Sequence, residues 1–242
     1  MSDRLADLAD SLQAVRDRIS AACAAHDRDP AHVRLLAVTK TFPASDAALL
    51  TDLGLTELGE NREQEASAKA VELASLRPDV TVRWHMVGHL QRNKARSVAR
   101  WAAEIQSVDS VRLADALAKA TRAARDAGER DAPLDALVQV SIDGDPARGG
   151  CPIPDLPALV DGVTRSGELR FRGLMTVAPL GMEPDAAFGA FHQVAQRIRD
   201  EHPNAVELSC GMSNDLESAI AHGSTCVRVG TALLGGRGLA SP

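Results

Sequence analysis

A single lysine follows a short apolar segment near the start of the chain. In "LLAVTKTFP", residues 35–43, four apolar residues and a threonine lead to Lys40, and Pro43 ends the segment. If the segment is a buried strand, Lys40 lies at its C-terminal end, where partial desolvation favours the neutral amine that forms Schiff bases with carbonyl groups. A surface lysine whose aliphatic stem covers the edge of a sheet explains the same position. The residue type therefore permits imine chemistry without requiring it.

Two later segments combine glycine and hydroxyl residues in a way that is typical of anion-binding turns. In "SCGMSND", Gly211 allows a close approach of the backbone, and Ser213 offers a hydroxyl just before a predicted helix. In "RVGTALLGG", Gly230 and Thr231 end a predicted strand and begin a helical turn with free N–H groups. Together with Lys40 they favour an aldehyde-bearing phosphate as ligand. Each segment, taken on its own, is equally well explained as an ordinary turn.

The elements that position these segments alternate between strand-like and helical patterns. Eight short apolar segments begin at residues 33, 55, 82, 104, 134, 169, 205 and 225, and helical stretches follow the first seven. Strands that alternate with helices pair in parallel through right-handed crossovers. Eight such units in about 210 residues match a (β/α)8 barrel, whereas a doubly wound sheet more often has fewer strands. The prediction is a single α/β domain over residues 1–242, folded as a TIM barrel.

Helical periodicity predicts an additional helix before the barrel. Apolar residues recur there at steps of three and four, and Ser2 is a candidate N-cap: Leu5, Leu8, Leu12, Val15 and Ile19. A second amphipathic helix is predicted in "DSVRLADALAKATRAARDAG", with one apolar face: Val111, Leu113, Leu117 and Ala120. Each helix is expected to cover part of the outer surface of the barrel.

The strand ends predict where a ligand would bind. In a (β/α)8 barrel, the loops at the C-terminal ends of the strands surround the functional site, and those after the last two strands frequently hold phosphate. The predicted strands bring these residues to that rim: Lys40, Glu60, Asn61, 85–88, Met175, Thr176, 210–213 and 228–231. We therefore expect one site with an amine on one side and a phosphate cradle on the other.

Composition excludes several classes of protein. Hydrophobic residues are 45% and charged residues 25% of the 242 residues, as in globular domains. The net charge of -6 disfavours nonspecific binding to nucleic acid or anionic lipid. No apolar run approaches the roughly 18 residues that span a bilayer, and the acidic N-terminus does not resemble a signal peptide. We expect a cytoplasmic protein that binds neither nucleic acid nor membrane.

Three further groups of residues were considered as functional sites. A basic run in "RNKARSVAR" is interpreted as a solvated helix face: Arg92, Lys94, Arg96 and Arg100. The four cysteines are far apart, which suits a reducing compartment and burial as small hydrophobes: Cys23, Cys151, Cys210 and Cys226. His85 and His89 have the i, i+4 spacing of metal ligands, but this stretch is predicted as a strand entering a turn. No metal site is expected.

Five segments taken together resemble the pyridoxal 5'-phosphate (PLP) homeostasis protein family. They occur in order from residue 35 to residue 237: "LLAVTKTFP", "ELGENREQE", "WHMVGHLQRNK", "FRGLMTV" and "GMSNDLESAIAHGSTCVRVGTALLGGR". The resemblance implies a barrel like the N-terminal domain of alanine racemase, with PLP held as an internal aldimine on Lys40. It also implies that Asn61 lines the pocket.

The resemblance assigns the remaining contacts of the cofactor. The PLP phosphate would contact Ser213, Gly230 and Thr231. Arg228 would face the pyridine nitrogen, and because a guanidinium stays protonated and can only donate, it would keep that nitrogen unprotonated and weaken the ring as an electron sink. The alternative for Arg228 is an ion pair in the barrel wall with an acid such as Glu207.

The function implied by the resemblance is noncatalytic. Such a protein holds PLP as a reversible imine, limits its free concentration and passes it to apo-enzymes. Alanine racemases have a similar barrel but add a C-terminal β-domain, which is not expected here, and use a tyrosine as a second acid–base group, whereas this sequence contains no tyrosine. A racemase-like PLP enzyme and, with less support, a Schiff-base aldolase are the enzymatic alternatives. The absence of a coiled coil favours a monomer.

One loop departs from the family pattern. Many members have a lysine after the fifth strand, where it has been associated with a secondary PLP contact. Here the loop reads "SIDGDPARGGC", and the aligned position is Arg148. Arginine can bind phosphate but cannot form an imine, so a covalent second site is not expected.

Overall fold

Parallel strands and outer helices alternate along the chain in the structure, a computed structural model that describes residues 3–145 and 149–236. The strands in these ranges are β1 (Arg34–Val38), β2 (Glu57–Glu60), β3 (Arg83–Met86), β4 (Glu104–Val108), β5 (Leu134–Ser141), β6 (Cys151–Pro152), β7 (Leu169–Met175), β8 (Glu207–Ser209) and β9 (Cys226–Val229). The helices are α1 (Asp3–Ala24), α2 (Ala44–Asp52), α3 (Glu63–Leu76), α4 (Ala95–Trp101), α5 (Val111–Asp126), α6 (Leu156–Arg165), α7 (Pro184–Glu201), α8 (Leu216–Ala221) and α9 (Thr231–Leu234).

Eight of the strands form a closed parallel barrel. Their order is β1-β2-β3-β4-β5-β7-β8-β9, and the ring closes because β9 pairs with β1, with Leu36 opposite Arg228. The prediction of a (β/α)8 barrel is therefore confirmed. Each predicted strand begins within two residues of its expected start. The short strand β6 was not predicted; it pairs with the end of β5 at Val140 and lies outside the ring.

Helix α1 completes the outer layer of the barrel. Its apolar face is buried with residues of β9 and α9: Leu8, Leu12, Val15, Ile19, Val227, Val229 and Leu233. Since α9 has only four residues, it is too short to cover the last strand alone. Arg4 strengthens this packing, because its guanidinium contacts Asp46 at 2.6 Å and the carbonyl of Leu234 at 3.0 Å. The predicted additional helix is thus confirmed, whereas its candidate cap Ser2 lies outside the described residues.

The other sequence expectations have mixed outcomes. Leu113, Leu117 and Ala120 are buried on the inner face of α5, as predicted, but Val111 is 41% exposed because it lies in the first turn. All four cysteines are free and buried, in agreement with their interpretation as small hydrophobes. Within the described ranges, no helix combines the length and the apolar character needed to cross a bilayer.

Polar side chains fill much of the barrel interior. Residues from six strands of the ring are hydrogen-bonded to one another there: Arg34, Glu57, His85, Glu104, Gln106, Ser209 and Arg228. Barrels of this type more often pack branched aliphatic residues in layers. Because alternate residues of a strand face the same side, Glu104 and Gln106 of β4 both point inward and connect the two ends of the barrel.

Candidate ligand-binding cleft

A cleft of about 760 Å³ opens at the C-terminal ends of the barrel strands, and we call it the mouth cleft. All six residues that the family resemblance assigns to the cofactor line it: Lys40, Asn61, Ser213, Arg228, Gly230 and Thr231. They come from the ends of β1, β2, β8 and β9 and lie far apart in the sequence. The parallel barrel therefore brings together the amine, the arginine and both glycine-containing turns.

Lys40 is half-buried at the end of β1. Among the described residues, no hydrogen-bond acceptor or carboxylate contacts its ammonium group. The next residue, Thr41, has a φ of 68°, a left-handed conformation that is strained for a β-branched side chain. This conformation turns the chain sharply after the strand, so Lys40 lies at the wall of the cleft.

A buried network beneath the cleft fixes the backbone just before Lys40. The hydroxyl of Thr39 donates to a carboxylate oxygen of Glu60 at 2.6 Å, and the ammonium of Lys69 donates to the carbonyl of Thr39 at 2.8 Å. Lys69 also forms an ion pair with Glu60. Although Glu60 was expected on the rim, it is fully buried and does not line the cleft. This network was missed because a sequence does not show that residues 39, 60 and 69 meet.

The two glycine-containing turns are joined to each other across the cleft. Gly211 has a φ of 91°, and a Cβ atom there would lie 2.5 Å from the Cβ of Ala219, so the tight turn requires glycine. The hydroxyl of Ser213 accepts a hydrogen bond of 3.2 Å from the backbone N–H of Ala232. The turn after β8 is therefore held against the first turn of α9.

These turns present backbone donors that the chain itself does not use. Among the described residues, the N–H groups of Ser213, Asn214 and Thr231 have no hydrogen-bond acceptor. The nearby carboxylate of Asp215 accepts the N–H of Met212 at 2.5 Å. Unpaired N–H groups beside a hydroxyl form a concave site that can accommodate an anion.

Arg228 forms the floor of the cleft and is 5% exposed. Its Nη1 donates to the hydroxyl of Ser209 and its Nη2 to the carbonyl of Thr176, both at 2.7 Å. Burial lowers the pKa of Arg228, but a guanidinium remains charged in proteins. No carboxylate in the described part of the chain forms an ion pair with it. The alternative pairing with Glu207 is wrong.

The acid Glu207 belongs instead to a set of paired charges deeper in the barrel. We call this set the interior charge cluster, and it consists of Arg34, Glu57, His85, Glu104 and Glu207. The guanidinium of Arg34 lies 2.9 Å from Glu207, 3.2 Å from Glu104 and 3.4 Å from Glu57. His85 lies between two carboxylates, with Nδ1 at 3.0 Å from Glu104 and Nε2 hydrogen-bonded to Glu57.

Pairing overcomes the cost of burying two of these groups. Burial by itself lowers the pKa of His85, but its hydrogen bonds to Glu104 and Glu57 raise it above its ordinary value. Burial opposes ionisation of Glu104, yet the hydrogen bond from His85, together with the charges of His85 and Arg34, lowers its pKa to about 2. His85 and Glu104 therefore stabilise each other's charged forms.

Several residues considered in the sequence lie away from the mouth cleft or at its edge. His85 is a fully buried core residue rather than a rim residue, while His89 lies at the rim with a side chain that is 70% exposed. In the basic run, Lys94 pairs with the buried Glu63, and Arg100 pairs with Glu129 on the outer surface. No group of residues in ranges 3–145 and 149–236 has the composition of a metal site. Arg148 lies outside the described residues.

Two further features of the cleft could not be predicted from the sequence. Gly88 packs so closely that a Cβ atom there would lie 2.2 Å from the carbonyl oxygen of Asn61. The loop after β7 and the turn after β8 add an exposed apolar rim: Val177, Leu180, Met182 and Met212. Leu180 is 92% exposed. Exposed apolar residues have no periodic pattern, so only the tertiary structure reveals that they share one rim.

Comparisons with known proteins show which family and which solved structures this chain is similar to. Residues 11–238 match the family described as "Alanine racemase, N-terminal domain". The pyridoxal phosphate homeostasis protein of Mycobacterium tuberculosis is 49% identical over 250 residues, which cover 99% of this chain and 96% of that protein. These similarities extend over nearly the whole sequence.

Solved structures with the same fold fall into two groups. PipY of Synechococcus elongatus PCC7942, with PLP bound, has a TM-score of 0.79 and 34% identity, and the match covers 94% of this chain and 100% of PipY. Alanine racemase of Streptomyces coelicolor A3(2) has a TM-score of 0.73 and 23% identity, with 95% of this chain and 58% of that chain covered. The second similarity concerns the fold alone.

Proposed function

Because the chain belongs to the pyridoxal phosphate homeostasis protein family, we propose that it binds PLP in the mouth cleft as a reversible imine on Lys40. In this role it contributes to intracellular PLP homeostasis and has no catalytic turnover of its own. With PLP bound, Lys40 would supply the amine that forms an imine with the aldehyde, with release of one water molecule. Hydrolysis or exchange with another amine reverses the bond, so the same site captures and releases the cofactor.

The donors of the mouth cleft suit the other polar groups of PLP. The hydroxyl of Ser213 and the unpaired N–H groups around Thr231 suit the phosphate, with Gly230 leaving room for it. Arg228 can donate to the pyridine nitrogen, which is an acceptor when unprotonated. Asn61 is exposed at the rim and offers an amide to the remaining ring substituents. The residues present therefore fit the cofactor.

The single observation that carries the proposal is the unpaired charge of Arg228. A guanidinium that is 5% exposed and has no carboxylate partner among the described residues carries a desolvation cost that a ligand acceptor would offset. It lies in the same cleft as the uncontacted amine of Lys40. A purely structural arginine would be expected to pair with an acid, as Arg34 does.

The arrangement favours storage of the cofactor over catalysis. An arginine that only donates to the pyridine nitrogen leaves the ring a weak acceptor of electrons. The sequence contains no tyrosine to act as a second acid–base group in a two-base racemisation. We propose further that the protein acts in the cytoplasm as a monomeric single domain and passes PLP to apo-enzymes through the open mouth.

The direct test is covalent trapping. The protein is loaded with PLP, reduced with borohydride and analysed by intact-mass measurement and peptide mapping. We expect one phosphopyridoxyl group per chain, located on Lys40. Lys40→Ala should lose both the adduct and the visible absorption band. The matched control Lys119→Ala, which alters an exposed lysine of α5, should retain both.

Two outcomes would refute the proposal. The first is a reduced adduct at a lysine other than Lys40, or no adduct in the wild-type protein. The second is catalytic turnover, which is tested by incubating the loaded protein with single L-amino acids in deuterated buffer. We expect the α-hydrogen to exchange no faster than it does with free PLP. A much faster exchange that depends on Lys40 would make the protein an enzyme.

A further inference from the structure

A chain of hydrogen bonds connects the floor of the mouth cleft to the interior charge cluster. Nη1 of Arg228 donates to Ser209 Oγ at 2.7 Å, and this hydroxyl donates to Gln106 Oε1 at 2.7 Å. Gln106 Nε2 then donates to Glu104 Oε1 at 2.8 Å. Ser209, Gln106 and Glu104 are all fully buried, so water does not compete for these bonds.

The charge of Glu104 determines the direction of the two hydrogen bonds that the Gln106 side chain forms, whereas Arg228 can only donate and so sets the direction of its own bond to Ser209. An ionised carboxylate can only accept, so the amide nitrogen of Gln106 must face Glu104 and its carbonyl oxygen must face Ser209. Because that oxygen also only accepts, the Ser209 hydroxyl must donate to it. The remaining lone pairs of Ser209 are then available to accept the N–H of Arg228.

Glu104 keeps its charge because the interior charge cluster surrounds it. His85 Nδ1 lies 3.0 Å and Arg34 Nη2 lies 3.2 Å from the same carboxylate oxygen, Oε1. The low pKa of Glu104 is a consequence of these contacts. Protonation of Glu104 would allow the amide of Gln106 to turn over and would remove the reason for the present direction of the bonds.

We propose that Ser209 and Gln106 are positioning residues for Arg228 and that Glu104 sets the direction of the two hydrogen bonds of the Gln106 side chain. This series of hydrogen bonds holds Nη1 of Arg228 on Ser209 without placing a carboxylate next to the guanidinium. A direct carboxylate partner would neutralise Arg228 and compete with a ligand for its donors. With this indirect connection, Arg228 is fixed at two points while it still lines the cleft. The inference rests on the proposed function for the identity of the ligand.

The first experiment tests positioning in the apo-protein. The guanidinium N–H signals of Arg228 are assigned by NMR through their loss in Arg228→Met. In the wild-type protein we expect separate signals for Nη1 and Nη2, because two hydrogen bonds restrict rotation. Ser209→Ala should broaden or merge them, and Gln106→Met should do so to a smaller extent. The control Thr121→Val, which removes a buried hydroxyl from α5, should leave them unchanged.

The second experiment uses PLP labelled with ¹⁵N at the ring nitrogen. Ser209→Ala should shift the ring ¹⁵N signal and increase the dissociation rate constant of PLP roughly fivefold, the loss expected for one hydrogen bond. The extent of covalent trapping on Lys40 should not change. Gln106→Met should show the same effects at lower magnitude, because Ser209 can still accept from Arg228 after the change.

The outcomes separate this inference from the proposed function. Wild-type signals and release rates in both Ser209→Ala and Gln106→Met would overturn the inference, as would an equal effect of Thr121→Val. If the wild-type protein bound no PLP, the proposed function would fail, while the guanidinium signals of the apo-protein would still decide whether Ser209 and Gln106 position Arg228. Should one variant fail to fold, the other still tests the claim.

Discussion

The two ends of the barrel interior treat charge in opposite ways. Toward the N-terminal ends of the strands, Arg34 contacts three carboxylates of the interior charge cluster: Glu57, Glu104 and Glu207. At the mouth cleft, Lys40 and Arg228 form no ion pair within the described ranges. Charges that neutralise one another hold strands together, whereas charges that the chain leaves unpaired are available to a ligand. The contrast indicates which end stabilises the fold and which end binds.

The largest expected effect is on the free energy of unfolding, when one charge is removed at each end of the barrel interior in separate variants. Glu104→Gln should lower the free energy of unfolding by about 3 to 5 kcal/mol, because it removes the buried negative charge that both Arg34 and His85 contact. Arg228→Met should change it by much less, since the loss of two hydrogen bonds is offset by removal of an unpaired buried charge. Urea unfolding of the two apo-variants measures both values. A larger loss in Arg228→Met than in Glu104→Gln would contradict the comparison.

Lowering the pH should remove the difference in free energy of unfolding between the wild-type protein and Glu104→Gln. The pKa of Glu104 falls from an ordinary value of 4.5 to about 2 in the folded state, so its contribution is present above 4.5 and is lost as the pH falls toward 2. This loss is on the order of 3 kcal/mol. Unfolding curves measured between these pH values should therefore converge. A constant gap would show that Glu104 stabilises the fold without its charge.

The pH dependence that His85 contributes to stability should be opposite to that of Glu104. Its pKa is raised above 6.5 in the folded state, so its stabilising pairing is complete below 6.5 and is lost as the pH rises through the folded-state value. His85→Gln should therefore flatten the fall in stability on the alkaline side. Thermal unfolding of both proteins across this range measures the effect, and identical alkaline slopes would speak against it.

The hydroxyl of Ser213 should matter for the binding of PLP as well as for the hydrogen bond that it accepts from Ala232. Ser213→Ala should weaken the affinity for PLP roughly tenfold, because a hydrogen bond to the phosphate is lost. Ser20→Ala alters an exposed hydroxyl at the opposite end of the barrel and should leave the affinity unchanged. Equilibrium titration of both variants with PLP measures this effect. Equal affinities in the two variants would remove Ser213 from the site.

The smallest expected effect on stability tests whether the backbone at Thr41, beside the mouth cleft, is strained. Thr41 is exposed and has a φ of 68°, so Thr41→Gly should stabilise the apo-protein by about 1 kcal/mol. It should also slow imine formation, because Lys40 loses part of its fixed orientation. Thr81→Gly, at an exposed position without a positive φ, should instead be neutral or slightly destabilising. Destabilisation of Thr41→Gly would mean that the turn is not strained.

Much of the fold could be predicted because each barrel strand carries its own local pattern. Short apolar runs between helical stretches indicate βα units, and eight of them indicate the barrel, as β1 to β5 and β7 to β9 confirm. Strand β6 could not be predicted, since two residues carry no periodicity. Val111 was assigned to an apolar face by spacing alone, although residues of a first helical turn are often exposed.

The candidate site could be predicted only in part. Motif residues such as Lys40 and Ser213 stand out by type and by their place at strand ends. Gln106 and Ser209 do not, because a buried polar residue in a strand looks like any other polar residue in a sequence. The alternative pairing of Arg228 with Glu207 was wrong for the same reason: complementary charges on two strands do not reveal which of several neighbours each will meet.

The order of the chemical groups along the chain was determined by the sequence itself: an amine after the first strand and two glycine-containing turns after the last two. Local patterns are sufficient for this, since they depend on residues a few positions apart. Only the tertiary structure decided which charges pair and which remain free, because the closed barrel brings residues of eight strands to one interior. Ion pairs depend on distances of a few ångströms between residues that are far apart in the chain, and no local pattern encodes those distances.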